Sequence, residues 1–237
     1  MPRADVERAK DELGRQGWTV LRKAAFLAHG RPDPAAVLRT VACFGRPSDR
    51  DGGCQIWPVA PRTTRAEATF SVRTGDAGFH TDAQYHRRPE DVVCLFVVRP
   101  AAEGGDTLLL TARDAVAALA REPMARPVLD SLSRPIWSWT PPEVFSGPGE
   151  AARQAPVPVL PGDGTMRWRR DNLARLCPPQ ARAAAVLESS LRRAPAVRIR
   201  QRPGDVIVID NHRTLHARST FTDLRRHLLR VRLWTDS

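Results

Sequence analysis

Residues 204–218 read GDVIVIDNHRTLHAR and residues 226–234 read RHLLRVRLW. The first stretch holds a compact apolar run, Val206–Ile209, bounded by Asp205 on one side and Asp210-Asn211 on the other, which reads as a short buried strand. The second alternates. Side chains on a strand point to opposite faces in turn, so Arg226, Leu228, Arg230 and Arg232 share one face. His227, Leu229, Val231 and Leu233 share the other, and its apolar character predicts packing against covering helices. The arginine face is expected to line the barrel interior, with a solvated edge-strand face as the competing reading for Arg230 and Arg232. With Val197–Arg200 added, the tail is strand throughout.

Further strand-like runs lie upstream at Gly17–Leu21, Glu67–Val72, Val92–Val98, Thr107–Leu110 and Met166–Arg170. Helices are expected over residues 3–15 and Pro34–Cys43. Thr111, with Asp114 three residues on, forms an N-cap for an Ala-rich helix over 112–121. Pro178-Pro179 opens a helix to about Arg193, with Ala183, Leu187 and Leu191 on one stripe. The Pro/Gly-rich segment 135–156 reads as a loop. Strands at both ends with helices set between them indicate a mainly β, α+β fold: a β-sandwich or jelly-roll core with helical cladding.

Composition narrows the function classes. The 237 residues carry 37 Lys+Arg against 26 Asp+Glu, a formal net charge of +11. Lys10 and Lys23 are the only lysines, so 35 residues are arginine, spread along the chain among Ala and Pro. That distribution reads as compositional bias rather than a nucleic-acid-binding face, and nucleic acid is not the expected partner. The N-terminus has no apolar signal core and no run has the length of a membrane span. Four cysteines without a C-x-x-C pair are too few for a disulfide framework, and a cytoplasmic location is expected. There is no repeat and no interdomain linker, so 1–237 is expected to be one domain.

The chemistry is concentrated at Gly78-Phe79-His80-Thr81-Asp82. On an extended strand His80 and Asp82 point the same way, supplying one imidazole and one carboxylate. These are two thirds of a 2-His-1-carboxylate triad, which holds Fe(II) and leaves coordination positions open. His-x-Asp alone recurs by chance, and a third ligand must come from elsewhere. His29, His86 and His227 are poorly placed, which leaves His212 and His216, both just after the strand Val206–Ile209.

These stretches resemble the Fe(II)/2-oxoglutarate-dependent dioxygenases of the taurine dioxygenase and clavaminate synthase-like group. The resemblance rests on a Gly-Asp turn, a strand, Asp-Asn-x-Arg, then a metal His followed by a small residue and Arg. It implies a double-stranded β-helix (jelly-roll, cupin-like) core, with His80, Asp82 and His216 as iron ligands and His212 as a surface or supporting residue. Arg226, ten residues after His216, matches the arginine that binds the distal carboxylate of 2-oxoglutarate. Glu103-Gly104-Gly105-Asp106-Thr107 is similar to the family's Gly-Gly-(Asp/Glu)-Thr element, and places Thr107 at the same carboxylate. The match covers Phe79–Asp114 and Gly204–Trp234, with weaker support from Arg167–Asn172. A buried arginine is costly without an anion, and a dicarboxylate would supply one. Arg230, about 13 Å along the strand from Arg226 at roughly 3.3 Å per residue, could reach a second anion on the substrate.

What the resemblance implies is hydroxylation of a small molecule with Fe(II), 2-oxoglutarate and O2, releasing succinate and CO2. Related halogenases carry a small residue where Asp82 stands, so hydroxylation, desaturation or cyclisation is expected rather than chlorination. An acidic group at Arg230 would favour a free amino acid or small acid. Substrate contacts are expected from Gln84, Tyr85, Asp171 and the Arg167–Asn172 segment, and from the 137–150 loop with Trp137, Trp139 and Glu143, a candidate lid. For Tyr85, core packing is the competing role. Three other functions share parts of the pattern: a nucleic-acid demethylase of the same superfamily, a non-catalytic jelly-roll binder, and a metal hydrolase or isomerase on a cupin-like barrel. Filled ligand positions argue against the second, and Arg226 with Thr107 against the third.

Overall fold

The computed structural model describes residues 3–50, 52–62, 70–142 and 155–235. Its N-terminal third comprises α1 (Arg3–Gln16), β1 (Trp18–Leu21), β2 (Leu27–Ala28), β3 (Arg31–Pro32), α2 (Pro34–Val41), β4 (Arg46–Pro47), β5 (Trp57–Val59) and β6 (Ala77–His80). Then come β7 (Val92–Arg99), β8 (Thr107–Thr111), α3 (Ala112–Leu119), α4 (Ala125–Leu132), α5 (Pro178–Arg193), β9 (Val197–Ile199), β10 (Val206–Asp210), β11 (Thr214–Arg218) and β12 (His227–Trp234). The larger sheet runs β1-β10-β7-β12-β4, with β5 also paired to β12, and the smaller runs β6-β11-β8-β9. All of these pairings are antiparallel. This is the mainly β, jelly-roll-type core with flanking helices expected from the sequence.

Period-two alternation explains how three apolar layers arise from two sheets. On β7, Val93, Leu95 and Val97 face inward and join Leu109, Ile199, Ile207, Ile209 and Leu228 between the sheets. The alternate residues Val92, Cys94 and Phe96 face outward with Leu229, Val231 and Leu233, and pack under α1 and α2 through Ala9, Val37 and Val41. On the far side, Phe79, Leu110, Leu215 and Ala217 pack under α3, α4 and α5 through Ala115, Leu119, Leu132, Leu187 and Leu191. Both faces of each sheet are therefore covered. The inward polar positions of β6, β11 and β12 are left in an interior that apolar residues otherwise fill.

Several local expectations change. Thr111 caps α3 through the Asp114 amide as expected. Where a strand over 67–72 was expected, Phe70–Val72 is a single 3-10 turn, and 67–69 lie outside the described residues. Met166–Arg170 forms no strand. Its polar backbone groups go to separate partners: Met166 N–H to His212 O, Arg167 N–H to Val159 O, and Trp168 O to the Thr81 amide. Helix α4 was not expected, since no side chain caps it and Pro127 sits in its first turn. The interior placement expected for the arginine face holds, because β12 is not an edge strand. It lies between β7 and β4/β5, so Arg230 and Arg232 are buried rather than solvated. Among the described residues no helix is long and apolar enough to cross a membrane.

Candidate active site

The smaller sheet brings the two histidines together. His216 on β11 is the direct cross-strand partner of His80 on β6, and their ring centroids are 4.2 Å apart. Beyond β6 the chain turns inward, with Ala83 at φ 56°, and carries Asp82 between them. Asp82 Oδ1 is 3.7 Å from His80 Nε2 and 3.8 Å from His216 Nε2. One ligand atom from each of the three residues lies within 4.8 Å of the others, and all three are buried.

The electrostatics suit a cation. Burial holds both imidazoles below the ordinary histidine range. For His80 the neighbouring His216 and Arg169 act in the same direction, and for His216 the Asp82 carboxylate opposes it. Neutral rings offer lone pairs. His80 Nδ1 lies 2.8 Å from Gly78 O, which assigns the ring proton to Nδ1 and presents a bare Nε2 to the site. Burial works against ionising Asp82, but the Arg230 guanidinium, with Nη1 2.9 Å from Oδ2, together with His216, His80 and Arg232 outweighs it and holds the carboxyl well below the usual carboxylate range.

Asn211 supports this geometry. Its side-chain Oδ1 accepts from the Asp82 amide at 2.7 Å, and its Nδ2 donates to Asp82 O at 3.0 Å and to Glu90 O at 2.8 Å. The carboxamide thus pairs with one residue as a neighbouring strand would, fixing the ligand's backbone.

The same cavity is lined by Leu95, Thr107, Arg218, Arg226, Leu228 and Arg230 together with the three ligand candidates. Arg226 is 3% exposed, donates from Nη2 to Gly105 O at 3.2 Å, and its Nε has no hydrogen-bond partner among the described residues. Burial pushes its guanidinium down to about 9, and the nearby Arg218 acts in the same direction. The Gly104-Gly105 pair allows this approach. Both adopt positive φ; a Cβ on Gly104 would lie 2.0 Å from Thr220 O, and one on Gly105 3.0 Å from Arg226 Nε. Thr107 is buried beside it and accepts from Gln201 Nε2 at 2.9 Å.

Six expected site residues therefore meet in one cavity: His80, Asp82, His216, Thr107, Arg226 and Arg230. Gln84, Tyr85 and Asp171 are not on its wall. Gln84 is buried and donates to Asn172 Oδ1 at 2.7 Å. Tyr85 packs in the core beneath α3–α5, the competing role weighed for it. Asp171 accepts two bonds from Arg169, at 2.7 and 3.1 Å. His212 lies 3.1 Å from Asp91 and is not among the converging ligands. Trp137 and Trp139 belong to the core beneath the helices, donating to Ser131 O and Arg169 O. Glu143 and the rest of the candidate lid, 143–150, lie outside the described residues. Phe70 and Ser71 were not anticipated, and Arg218 and Asn211, which stand in the motif that carries the resemblance, were given no role. For Arg218 the signal existed, since two residues after His216 it must share the inward face.

Comparison with known proteins agrees with this geometry. The sequence matches the family described as taurine catabolism dioxygenase TauD, TfdA family, over residues 2–140 and 133–232. An L-asparagine oxygenase of Streptomyces coelicolor is 31% identical over 196 residues, 79% of this chain, and the chain spans 56% of that protein's length. The structure of an asparagine oxygenase in complex with Fe(II), 2S,3S-3-hydroxyasparagine and succinate is similar over 99% of this chain and 79% of that one, with a TM-score of 0.79 and 25% identity. The non-heme iron oxygenase OrfP in complex with Fe, succinate and (3S)-hydroxy-L-Arg shares the fold at a TM-score of 0.73 and 20% identity, over the whole of this chain and 82% of that one.

Proposed function

The chain belongs to the taurine catabolism dioxygenase TauD, TfdA family, and from that premise we propose that it is an Fe(II)/2-oxoglutarate-dependent oxygenase hydroxylating an unactivated C–H bond of a free amino acid or related small acid. The observation that carries this reading is the convergence in one cavity of a buried His80/Asp82/His216 cluster and the cation Arg226, which has no carboxylate within ion-pair distance among the described residues. Two neutral imidazoles and one carboxylate are the donor set that suits Fe(II) with open positions. Iron, 2-oxoglutarate and O2 would supply the oxidising chemistry, releasing succinate and CO2.

The chain's own residues bind and orient. His80, Asp82 and His216 would hold the metal, with the Gly78 carbonyl fixing the His80 tautomer and Asn211 the Asp82 backbone. Arg226 and Thr107 would take the distal carboxylate of 2-oxoglutarate, and that charge would compensate a guanidinium that burial otherwise penalises. Arg230, whose Nη1 lies 2.9 Å from Asp82 Oδ2 on the cavity wall, would also take a substrate carboxylate. One relative is by name an L-asparagine oxygenase, and the OrfP structure holds (3S)-hydroxy-L-Arg, which supports the same substrate class here. The four free thiols support a cytoplasmic setting.

The test is succinate release in the presence of Fe(II), 2-oxoglutarate and O2 across a panel of amino acids and small acids, with mass spectrometry for a product heavier by one oxygen. Release that no amino acid or small acid stimulates would reject the substrate class, and no Fe(II)-dependent release at all would reject the activity.

A further inference from the structure

Two residues of the cavity wall, Phe70 and Ser71, come from a segment that belongs to no strand. Beside two backbone bonds, Arg62 N–H to Val72 O at 3.0 Å and Gly75 N–H to Phe221 O at 2.9 Å, what holds that segment is Arg218. Its guanidinium donates from Nη1 to Phe70 O at 2.9 Å, from Nε to Gly75 O at 3.2 Å and from Nη2 to Thr74 O at 3.5 Å. Three carbonyls that a neighbouring strand would otherwise satisfy are thus gathered by one buried side chain. One of them, Phe70 O, opens the 3-10 turn found where the sequence predicts a strand. Arg218 has no carboxylate within ion-pair distance among the described residues, and it lies against the ring of Phe221, 4.8 Å from its centroid, as Arg226 does at 5.0 Å. The segment it holds packs on the chemistry. The Phe70 ring is 5.4 Å from the His80 ring, with the Arg169 guanidinium 4.7 Å from its centroid and that of Arg73 at 5.3 Å.

We propose that Arg218 is a positioning residue. It ties Phe70–Gly75 down as a wall of the reaction cavity, so that cosubstrate binding depends on Arg218 without the cosubstrate touching it. This rests on the reading of Arg226 and Thr107 as the cosubstrate end. Arg218 already spends its donors on carbonyls, whereas Arg226 has a donor to spare; one is built to hold protein and the other to hold an anion.

Limited trypsin digestion, with cleavage after Arg73 followed by mass spectrometry, separates the two roles when combined with the 2-oxoglutarate dependence of succinate release. In Arg218→Met, cleavage after Arg73 should be about tenfold faster than in the wild type while cuts elsewhere keep their rates. The KM for 2-oxoglutarate should rise about tenfold with kcat within twofold. Arg218→Lys, which keeps the charge but not the three-way fork, should fall between. Arg226→Met should raise the cosubstrate requirement further yet leave cleavage after Arg73 at the wild-type rate. The proposal is overturned if Arg218→Met is cut no faster than the wild type, if Arg226→Met opens the segment equally, or if the segment opens and the KM does not move. Should Arg218→Met not fold, Arg218→Lys decides by the same criteria. If the wild type consumes no 2-oxoglutarate, the functional reading fails, while the cleavage rates still decide whether Arg218 holds the segment.

Discussion

Replacing Arg226 with methionine should damage function and stabilise the empty protein at once. In the folded chain the guanidinium is 3% exposed, makes one hydrogen bond, and is pushed by burial from the ordinary arginine range down to about 9. A group whose folded pKa is depressed below its unfolded value, and which is charged at neutral pH, weakens the fold. That penalty is present below about pH 9 and fades as pH rises towards the unfolded value. At about 1.4 kcal/mol per tenfold change in proton affinity, the penalty has an upper bound of roughly 5 kcal/mol. Losing the bond to Gly105 O and the contact with Phe221 returns about 2–3 kcal/mol. The net expectation for Arg226→Met is a gain of about 2 kcal/mol, or a Tm higher by about 4–8 °C for a chain of this size. Cosubstrate should reverse the order. In the wild type, 2-oxoglutarate at a hundred times its Kd adds about 2.7 kcal/mol. The variant, lacking one partner of a buried charge pair at about 3–5 kcal/mol, should bind it roughly a hundredfold or more weakly and show no such shift. Thermal melts of the anaerobic Fe(II) protein with and without 2-oxoglutarate measure both quantities. A lower Tm for the empty variant, or an undiminished 2-oxoglutarate shift, would refute the reasoning that Arg226 is held at a cost for an anion.

Other variants probe the remaining supports. His80→Ala and His216→Ala should each abolish Fe(II)-dependent succinate release while His212→Ala retains most of it. Equal damage from His212→Ala would undo the ligand assignment. Asn211→Ala strips partners from the Asp82 amide and from two buried carbonyls, at about 1–3 kcal/mol each. It should weaken Fe(II) binding, measured by equilibrium dialysis, although no ligand is removed. Glu90, fully buried, accepts from Ser48 Oγ at 2.7 Å and faces Arg232 Nη1 at 3.3 Å. Glu90→Gln should cost about 3–5 kcal/mol in denaturant unfolding by removing the buried carboxylate that faces Arg232, and Glu90→Leu with Arg232→Leu should recover most of it.

The site was legible in the sequence wherever it followed strand parity. Alternation put Arg226 and Arg230 on one face of the last strand, whereas His216 was found through the family motif and Asp82, expected on the strand with His80, lies in the turn just beyond it. The inward face of β12 could not be assigned to the interior by parity alone, because alternation does not say whether a strand is central. The pairing of β12 with β4 and β5 decided it, and with it the burial of Arg232. Parity failed where side chains replace strand ladders. Phe70–Gly75 is shaped by Arg218 and the Asp82 turn by Asn211, and neither contact has a local sequence signature, since the partners lie more than a hundred residues apart. Trp137 and Trp139 were misplaced for a related reason. Pro/Gly-rich surroundings suggested a loop lining the substrate pocket, but each indole N–H finds a backbone carbonyl, which lets the rings join the core.

The pairing of His216 with His80 also makes iron a proofreader of strand alignment. β6 and β11 are four and five residues long and their register shifts between His216 and Arg218, so few ladder bonds fix how they align. A slip of one residue would turn His216 outward among Leu187 and Leu191 and bring Leu215 or Ala217 to face Asp82. Such a mispaired sheet could still bury much of its apolar surface, but it could not bind the metal through all three side chains. Metal present while the chain folds would select the correct alignment, and protein refolded without it should contain a fraction that later addition of Fe(II) does not rescue.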